Sequence, residues 1–391
     1  MIPRYAPTYT YSDSLQSLSR CFRGDVSDNL RSHLATLYKA KHVFLLDSAR
    51  VALYALLRAY NRPGGVLMPA YNCIVMPETV HYAGYYPVFV DVDYSSLSMT
   101  AGDLKKSISS DITVVLVTHL FGIPCDVEEI MRVSRQSEAF IVEDAAPAIG
   151  AEFRGQLVGS FGDAAIISFQ STKVISGGTG GALLTNDDEL AYKVDCLLQA
   201  TVAPESCWRS FAKAVVRKMA TSSWMYPATQ LGYRILRDER MFEVVTSHTE
   251  IPSNFLTLCS RFSSALVLMQ LDRLDWNLSR RRRLAQIYQD ELSKHSRLML
   301  PVIPEDCSPA WIQFPILVDD KSAFYKHMQR NRVDLSWTFR YSCADSFGLD
   351  GFPNAQKAAK TVLGLPTYPS LTDEHAQYIC NVARKYPAGM H

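Results

Sequence analysis

The stretch Ile141–Asp187, IVEDAAPAIGAEFRGQLVGSFGDAAIISFQSTKVISGGTGGALLTND, constrains the fold more than any other part of this chain. It sets short apolar, largely β-branched runs in succession and ends each with side chains that can do chemistry. Ile141-Val142 leads into Glu143-Asp144, and Ala164–Phe169 leads into Gln170-Ser171-Thr172-Lys173. Runs this short and apolar suit strands buried on both faces of a parallel sheet, whose functional groups gather at the carboxyl ends. Asp144, Ser168 and Lys173 are therefore expected at neighbouring strand ends. The glycine turn Gly177-Gly178-Thr179-Gly180-Gly181 follows. A lysine buried beside such a turn is held partly neutral, and a neutral amine attacks an aldehyde to form a Schiff base.

The same alternation runs upstream. Val43–Leu46, Val66–Met68, Pro87–Val92 and Ile112–Thr118 read as strands between helical stretches, the pattern of a parallel sheet sandwiched by helices. Asp47-Ser48 is placed to cap a helix with Val51, Leu53, Leu56, Leu57 and Tyr60 on its buried face. That helix start offers unpaired N–H groups to a phosphate. With 391 residues and 48% apolar content, two domains are expected. A net charge of +1 gives no reason to expect nucleic acid as a partner. The nine cysteines form no C-x-x-C pair and no zinc spacing, so neither a disulfide framework nor a bound metal is expected. No signal-like leader or spanning apolar run is seen, and a cytoplasmic location is expected.

The motifs EDAA, G-S-F-G-D, S-F-x-x-x-K and G-G-x-G-G-A-L-L-T-N-D resemble those of the DegT/DnrJ/StrS family of aminotransferases dependent on pyridoxal 5'-phosphate (PLP). The likeness continues in SARVALYALLRAY, VLMPAYNC, VVLVTHLFGIPCDVEEI and VLGLPTYPSLTDE. It implies a fold-type-I α/β enzyme: a large domain with a mostly parallel seven-stranded sheet between helices, and a smaller C-terminal α/β domain. The expected division is an N-terminal arm over 1–30, a PLP-binding domain over 31–255 carrying an insertion at about 203–249, and a linker helix with the small domain over 256–391. Lys173 is then the PLP lysine and proton carrier, Asp144 the partner of the ring nitrogen, and Ser168 a phosphate ligand. Glutamate is the implied amino donor, a keto sugar or related small molecule the acceptor, and a homodimer the implied assembly, which the apolar turn Tyr71–Met76, read as too exposed for a monomer, also favours. Family members specialised for deoxygenation have His in place of the lysine, so Lys173 favours transamination over a dehydratase or lyase reaction.

Several positions depart from the family pattern. Ser48-Ala49-Arg50 stands for Ser-Gly-Thr, with Arg50 a substitute phosphate contact by a charged hydrogen bond. Cys73 stands where an aromatic ring usually stacks on the cofactor, which leaves Tyr71 as the neighbour expected to supply a ring. Pro147, Ile149 and Thr179 replace Gln, His and Glu, and Leu256-Thr257-Leu258 replaces an interface Asn-Tyr-Arg group for which Asn254 or Arg261 is the candidate stand-in. These losses keep a second reading open, a PLP-binding regulatory protein without the chemistry. His119 reads as a structural histidine, Ser260–Leu292 as one long helix, and Arg280–Arg283 as a solvated face. Within 207–240, Trp208, Phe211, Val215 and Met219 fall at helical intervals beside Arg209, Lys213 and Arg217; Trp224, Tyr226, Leu231 and Tyr233 follow, with Arg234, Arg237 and Arg240. This pattern suits a lid over the site, a peripheral membrane contact, or a partner groove.

Overall fold

The computed structural model describes residues 1–199, 204–236 and 255–386. Two helices, α1 (Tyr11–Arg20) and α2 (Val26–Tyr38), open the chain. Strands and helices then alternate as β1 (His42–Leu46), α3 (Ala49–Tyr60), β2 (Gly65–Pro69), α4 (Val75–Tyr82), β3 (Tyr86–Val90), α5 (Ala101–Ser107), β4 (Ile112–Thr118), α6 (Val127–Arg135) and β5 (Phe140–Asp144). A hairpin of β6 (Glu152–Phe153) and β7 (Gln156–Leu157) precedes β8 (Ala164–Ser168) and β9 (Gly181–Thr185). Next come α7 (Asp188–Leu198), α8 (Cys207–Ala220), α9 (Tyr226–Leu236), α10 (Arg261–Leu271) and α11 (Leu274–Leu292). The last part holds β10 (Leu298–Met299), β11 (Cys307–Ser308), β12 (Phe314–Val318), α12 (Lys321–Arg330), α13 (Cys343–Ser346), α14 (Pro353–Thr361), β13 (Val362–Leu365) and α15 (Asp373–Arg384).

The seven-stranded sheet has the order β1-β9-β8-β5-β4-β2-β3. Neighbours from β8 to β3 are parallel, and β9 runs antiparallel to both β1 and β8. The expected mostly parallel α/β sheet is thus observed. Its strands are apolar throughout because both faces are covered: Val114 and Leu116 of β4 enter one core, Val115 and Val117 the other. A smaller antiparallel sheet, β10-β12-β13, belongs to the last part of the chain.

Glu143 shows how a sequence motif becomes local structure. It is fully buried at the end of β5, and its carboxylate accepts the backbone N–H groups of Gly159 at 2.7 Å, Phe161 at 2.6 Å and Gly162 at 2.7 Å. The G-S-F-G-D motif is the loop that wraps this one carboxylate. His119 completes the set, its Nε2 3.1 Å from Glu143 Oε2 and its Nδ1 accepting from Cys125 N–H at 3.4 Å. Burial opposes protonation of His119, and an Nδ1 that accepts from Cys125 N–H leaves the single ring proton on Nε2, facing Glu143.

Three expectations change. Ser260–Leu292 is two helices: α10 ends at Leu271, and Arg273, with φ −119°, breaks the run before α11. The four arginines of α11 are not a solvated face. Arg281 is buried and donates to Asn277 Oδ1 at 2.7 Å and the Trp311 carbonyl at 3.0 Å, Arg282 donates to the Pro309 carbonyl, and Arg280 and Arg283 both reach Asp373. They fasten α11 to the chain after Ser308. The turn from Tyr71 to Met76, read as exposed, has both of those residues buried.

Replacing Glu143 with Gln leaves three buried N–H donors facing an amide in place of a carboxylate, and should lower stability in denaturant titration by about 3 kcal/mol. A variant as stable as the parent would mean that the loop is held by something else.

Candidate active site

Four backbone segments meet where β1, β9 and β8 end. Register pairs Gly181 with Leu46 on one side and with Ser168 on the other. A Cβ at Gly181 would lie 2.5 Å from Ala49 N, 2.5 Å from the Ser48 carbonyl carbon and 2.6 Å from Ile167 O, so only glycine lets these backbones close up. Gly180, at φ +111°, donates its N–H to Asp47 O at 2.6 Å and accepts from Phe169 N–H at 2.8 Å. The glycine turn therefore clamps the start of α3 against the end of β8. α3 begins there because Ser48 is extended and its Oγ accepts from Val51 N–H at 3.2 Å, while an Ala- and Leu-rich stretch carries it to Asn61, left-handed at φ 50°. The first N–H groups of α3 have no intrahelical acceptors. Ser48, Ala49, Arg50 and Ser168 all line the cleft at this point.

Asp144 ends β5 and is 3% exposed. Oδ1 accepts from Ala146 N–H at 3.1 Å, and the Thr118 hydroxyl faces the carboxylate and favours its charged form. Thr118 in turn accepts from Asn72 Nδ2 at 2.9 Å, and Asn72 Oδ1 accepts from Cys73 N–H at 2.7 Å. Two donors leave about half of the carboxylate's lone-pair directions open to a further N–H. Burial raises Asp144 above the usual carboxylate range, with Lys173 pulling the other way. Burial likewise lowers the Lys173 amine, opposed by Asp144 and Cys73. The Cys73 thiol is pushed up by burial and stays protonated near neutral pH. Lys173, Asp144 and Cys73 line a cleft of about 1500 Å³.

The structure thus brings Lys173, Asp144, Ser168, Ser48, Ala49, Arg50 and Cys73 to one cleft. Tyr71 is different: it has no exposure, packs edge-on against Phe339 at 5.4 Å, and belongs to the core behind the cleft. The Arg50 guanidinium stacks over Phe255 at 5.1 Å, so what Arg50 turns toward the α3 terminus is its backbone. Thr179, in the family's Glu position, lies 3.4 Å from Ser263 Oγ and favours the charged form of Asp47. Arg261 donates to the Arg23 carbonyl. Asn254 lies outside the described residues, as do Arg237 and Arg240.

Sequence reading passed over Asn72 and Thr118, whose chain of bonds orients Asp144; only the residue before Cys73 and the last residue of an apolar run marked them. It also passed over a second buried lysine. Burial pushes Lys321 down to about 7, but its Nζ donates to the carbonyls of Ala359 at 2.8 Å, Phe339 at 3.2 Å and Thr338 at 3.4 Å. All three protons are committed to holding chain segments together, which distinguishes it from Lys173.

A profile of the DegT/DnrJ/EryC1/StrS aminotransferase family matches residues 10–384. The chain belongs to that family. It is an aminotransferase, as its family is. Among its relatives is the spore coat polysaccharide biosynthesis protein SpsC of Bacillus subtilis, 27% identical over 386 residues that cover 94% of this chain and 91% of the relative. GDP-perosamine synthase of Vibrio cholerae is 24% identical over 405 residues, 99% of each chain. The solved aminotransferase TlmJ of Streptoalloteichus hindustanus superposes with a TM-score of 0.79 at 23% identity, covering 98% of both chains, and shares the fold.

Because burial lowers the Lys173 amine, its neutral form persists to lower pH than that of a solvated lysine. In protein free of aldehyde ligand, acetylation of Lys173 by acetic anhydride should therefore reach half its maximal rate at lower pH than acetylation of the exposed lysines, read peptide by peptide in a mass spectrometer. A Lys173 midpoint at or above theirs would contradict the assigned environment.

Proposed function

We propose that the chain transfers an amino group between L-glutamate and a keto sugar carried on a nucleotide, with PLP held at Lys173. The observation that carries this reading is the placement in one cleft of a buried lysine, its amine lowered by loss of water, and a buried carboxylate with room for a further donor, beside the start of α3. PLP fits these residues. Its phosphate would take the N–H groups of Ala49 and Arg50 with the hydroxyls of Ser48 and Ser168, since a hydroxyl that accepts from Val51 N–H still has its own proton to donate. When bound, PLP supplies an electron sink that acidifies the carbon bearing the amine. Asp144 would keep a proton on the ring nitrogen, with Thr118 and Asn72 holding Asp144 in line, and Lys173 Nζ would carry the proton between the amine-bearing substrate carbon and the cofactor in each half-reaction. Cys73 supplies a small neutral surface where an aromatic ring would otherwise lie. A sugar substrate is supported by relatives named for nucleotide-sugar products and by a cleft rich in hydrogen-bonding side chains.

Hydride reduction of the protein with PLP should tag Lys173, and Lys173→Ala should lose conversion of L-glutamate by at least about a thousandfold. Tagging of another lysine, or turnover retained in the variant, would sink the assignment.

We further propose that the enzyme acts as a homodimer. Leu15, Phe22 and Trp208 are 61%, 62% and 63% exposed on the adjacent α1 and α8 regions, with Phe22 and Trp208 in ring contact at 6.4 Å. They lie by α10, whose N-terminal residue Arg261 bonds to the Arg23 carbonyl, and an apolar face of this kind suits a second copy. Among the described residues no helix is long and apolar enough to cross a membrane. Sedimentation equilibrium should give a dimer whose association weakens at least about tenfold in Trp208→Asp. An active monomer at micromolar concentration, or sedimentation of the monomer with anionic vesicles, would favour the membrane reading of this face instead.

A further inference from the structure

One wall of the cleft is assembled from segments remote in sequence: Arg4 and Tyr5 near the N-terminus, Gln230 on α9, and Tyr325 and Gln329 on α12. Three of these groups converge on Asp334, a carboxylate with no exposure. Tyr325 O–H donates to Oδ1 at 2.8 Å. Gln230 Nε2 donates to Oδ2 at 3.2 Å, and Arg4 Nε lies 3.9 Å from the same oxygen. Buried Tyr226 donates to Oδ2 at 2.5 Å and accepts from Gln230 Nε2 at 2.8 Å, while Gln329 Nε2 donates to Tyr325 Oη at 2.7 Å. The backbone repeats the connection: Ile2 N–H donates to Arg332 O at 2.8 Å, and Asp334 N–H donates to Ile2 O at 3.0 Å.

A buried carboxylate is costly unless charge and hydrogen bonds compensate it. Here the compensation comes from Arg4, Gln230 and Tyr325, which line the cleft, and from Tyr226, which holds Gln230. The charge of Asp334 therefore fixes where these groups stand relative to one another. We infer that Asp334 is a positioning residue for substrate binding: through it the N-terminal segment and the inserted α9 become one substrate-selecting wall of the cleft. The wall presents a guanidinium, two amides and a phenol, which suits an anionic small molecule bearing hydroxyls. Asp144 and Ser168 sit instead at strand ends, Lys173 in the turn between β8 and β9, and Ser48 at the start of α3. Loss of the wall should therefore weaken substrate binding and leave cofactor attachment alone. The inference rests on the aminotransferase reading of this cleft.

The test is single-turnover conversion of the PLP-loaded protein by L-glutamate and, in the reverse sense, by GDP-perosamine. In Asp334→Asn the half-saturating concentration of at least one probe should rise about fivefold or more, with the rate at saturation within about twofold of the parent. Cofactor absorbance and hydride tagging of Lys173 should be unchanged, and hydrogen exchange should quicken over residues 1–10 and 224–232. Should Asp334→Asn fail to fold, Tyr226→Phe and Arg4→Ala carry the same expectation in smaller measure. Unchanged half-saturation for both probes, or a loss confined to the rate at saturation, would overturn the inference. A parent protein that shows no cofactor absorbance would instead sink the functional reading beneath it.

Discussion

The close approach of Gly181 to the start of α3 is the contact on which the site depends. β9 is the one strand of the large sheet that runs against its neighbours, and it fills the place between β1 and β8. Without a side chain at Gly181, the helix start after Leu46 and the strand end at Ser168 are drawn to the same point. An anion-binding helix terminus and a serine hydroxyl from a remote strand then need no side chain of their own to be brought together. The proposed phosphate site tolerates Ala49 and Arg50 because backbone N–H groups, which any residue supplies, would do the binding.

The electrostatics of the cleft follow from burial rather than from a close ion pair. Asp144 is raised and Lys173 is lowered, each mainly by loss of water, so both are biased toward neutrality until a ligand supplies a complementary charge. The same balance bears on the altered positions. Cys73 brings a thiol that stays protonated, and Thr179 turns to Asp47 and Ser263. These replacements leave the lysine and carboxylate intact while changing the surface around them. They favour a shifted substrate over a lost reaction.

Much of the sheet and of the lysine site was legible in the sequence, because apolar strand runs ending in Asp144 and Ser168 encode both the element and its chemistry locally, although Lys173 lies in the turn after β8 and not at a strand end of its own. The failures lay where remote partners decide. The continuous helical pattern after Ser260 gave no sign that Arg273 would break it. The arginines of α11 look solvated by composition, yet carbonyls from the chain after Ser308 draw Arg281 and Arg282 inward. Tyr71 is next but one to Cys73, but the strap at Ser342-Cys343 and the ring of Phe339 close over it: Cys343 N–H donates to Ala70 O at 2.7 Å. Asp334 could not be singled out at all, since its partners come from the N-terminal segment, α9 and α12.

The central claim is that Asp144 and Lys173 act as one device, the carboxylate holding the proton that lets the lysine's chemistry proceed. Asp144→Asn tests it most directly, with conversion of bound PLP by saturating L-glutamate followed in a stopped-flow spectrometer. The account predicts that the variant still binds PLP at Lys173 and that the conversion rate falls by at least about a hundredfold. A variant that converts as fast as the parent would contradict it.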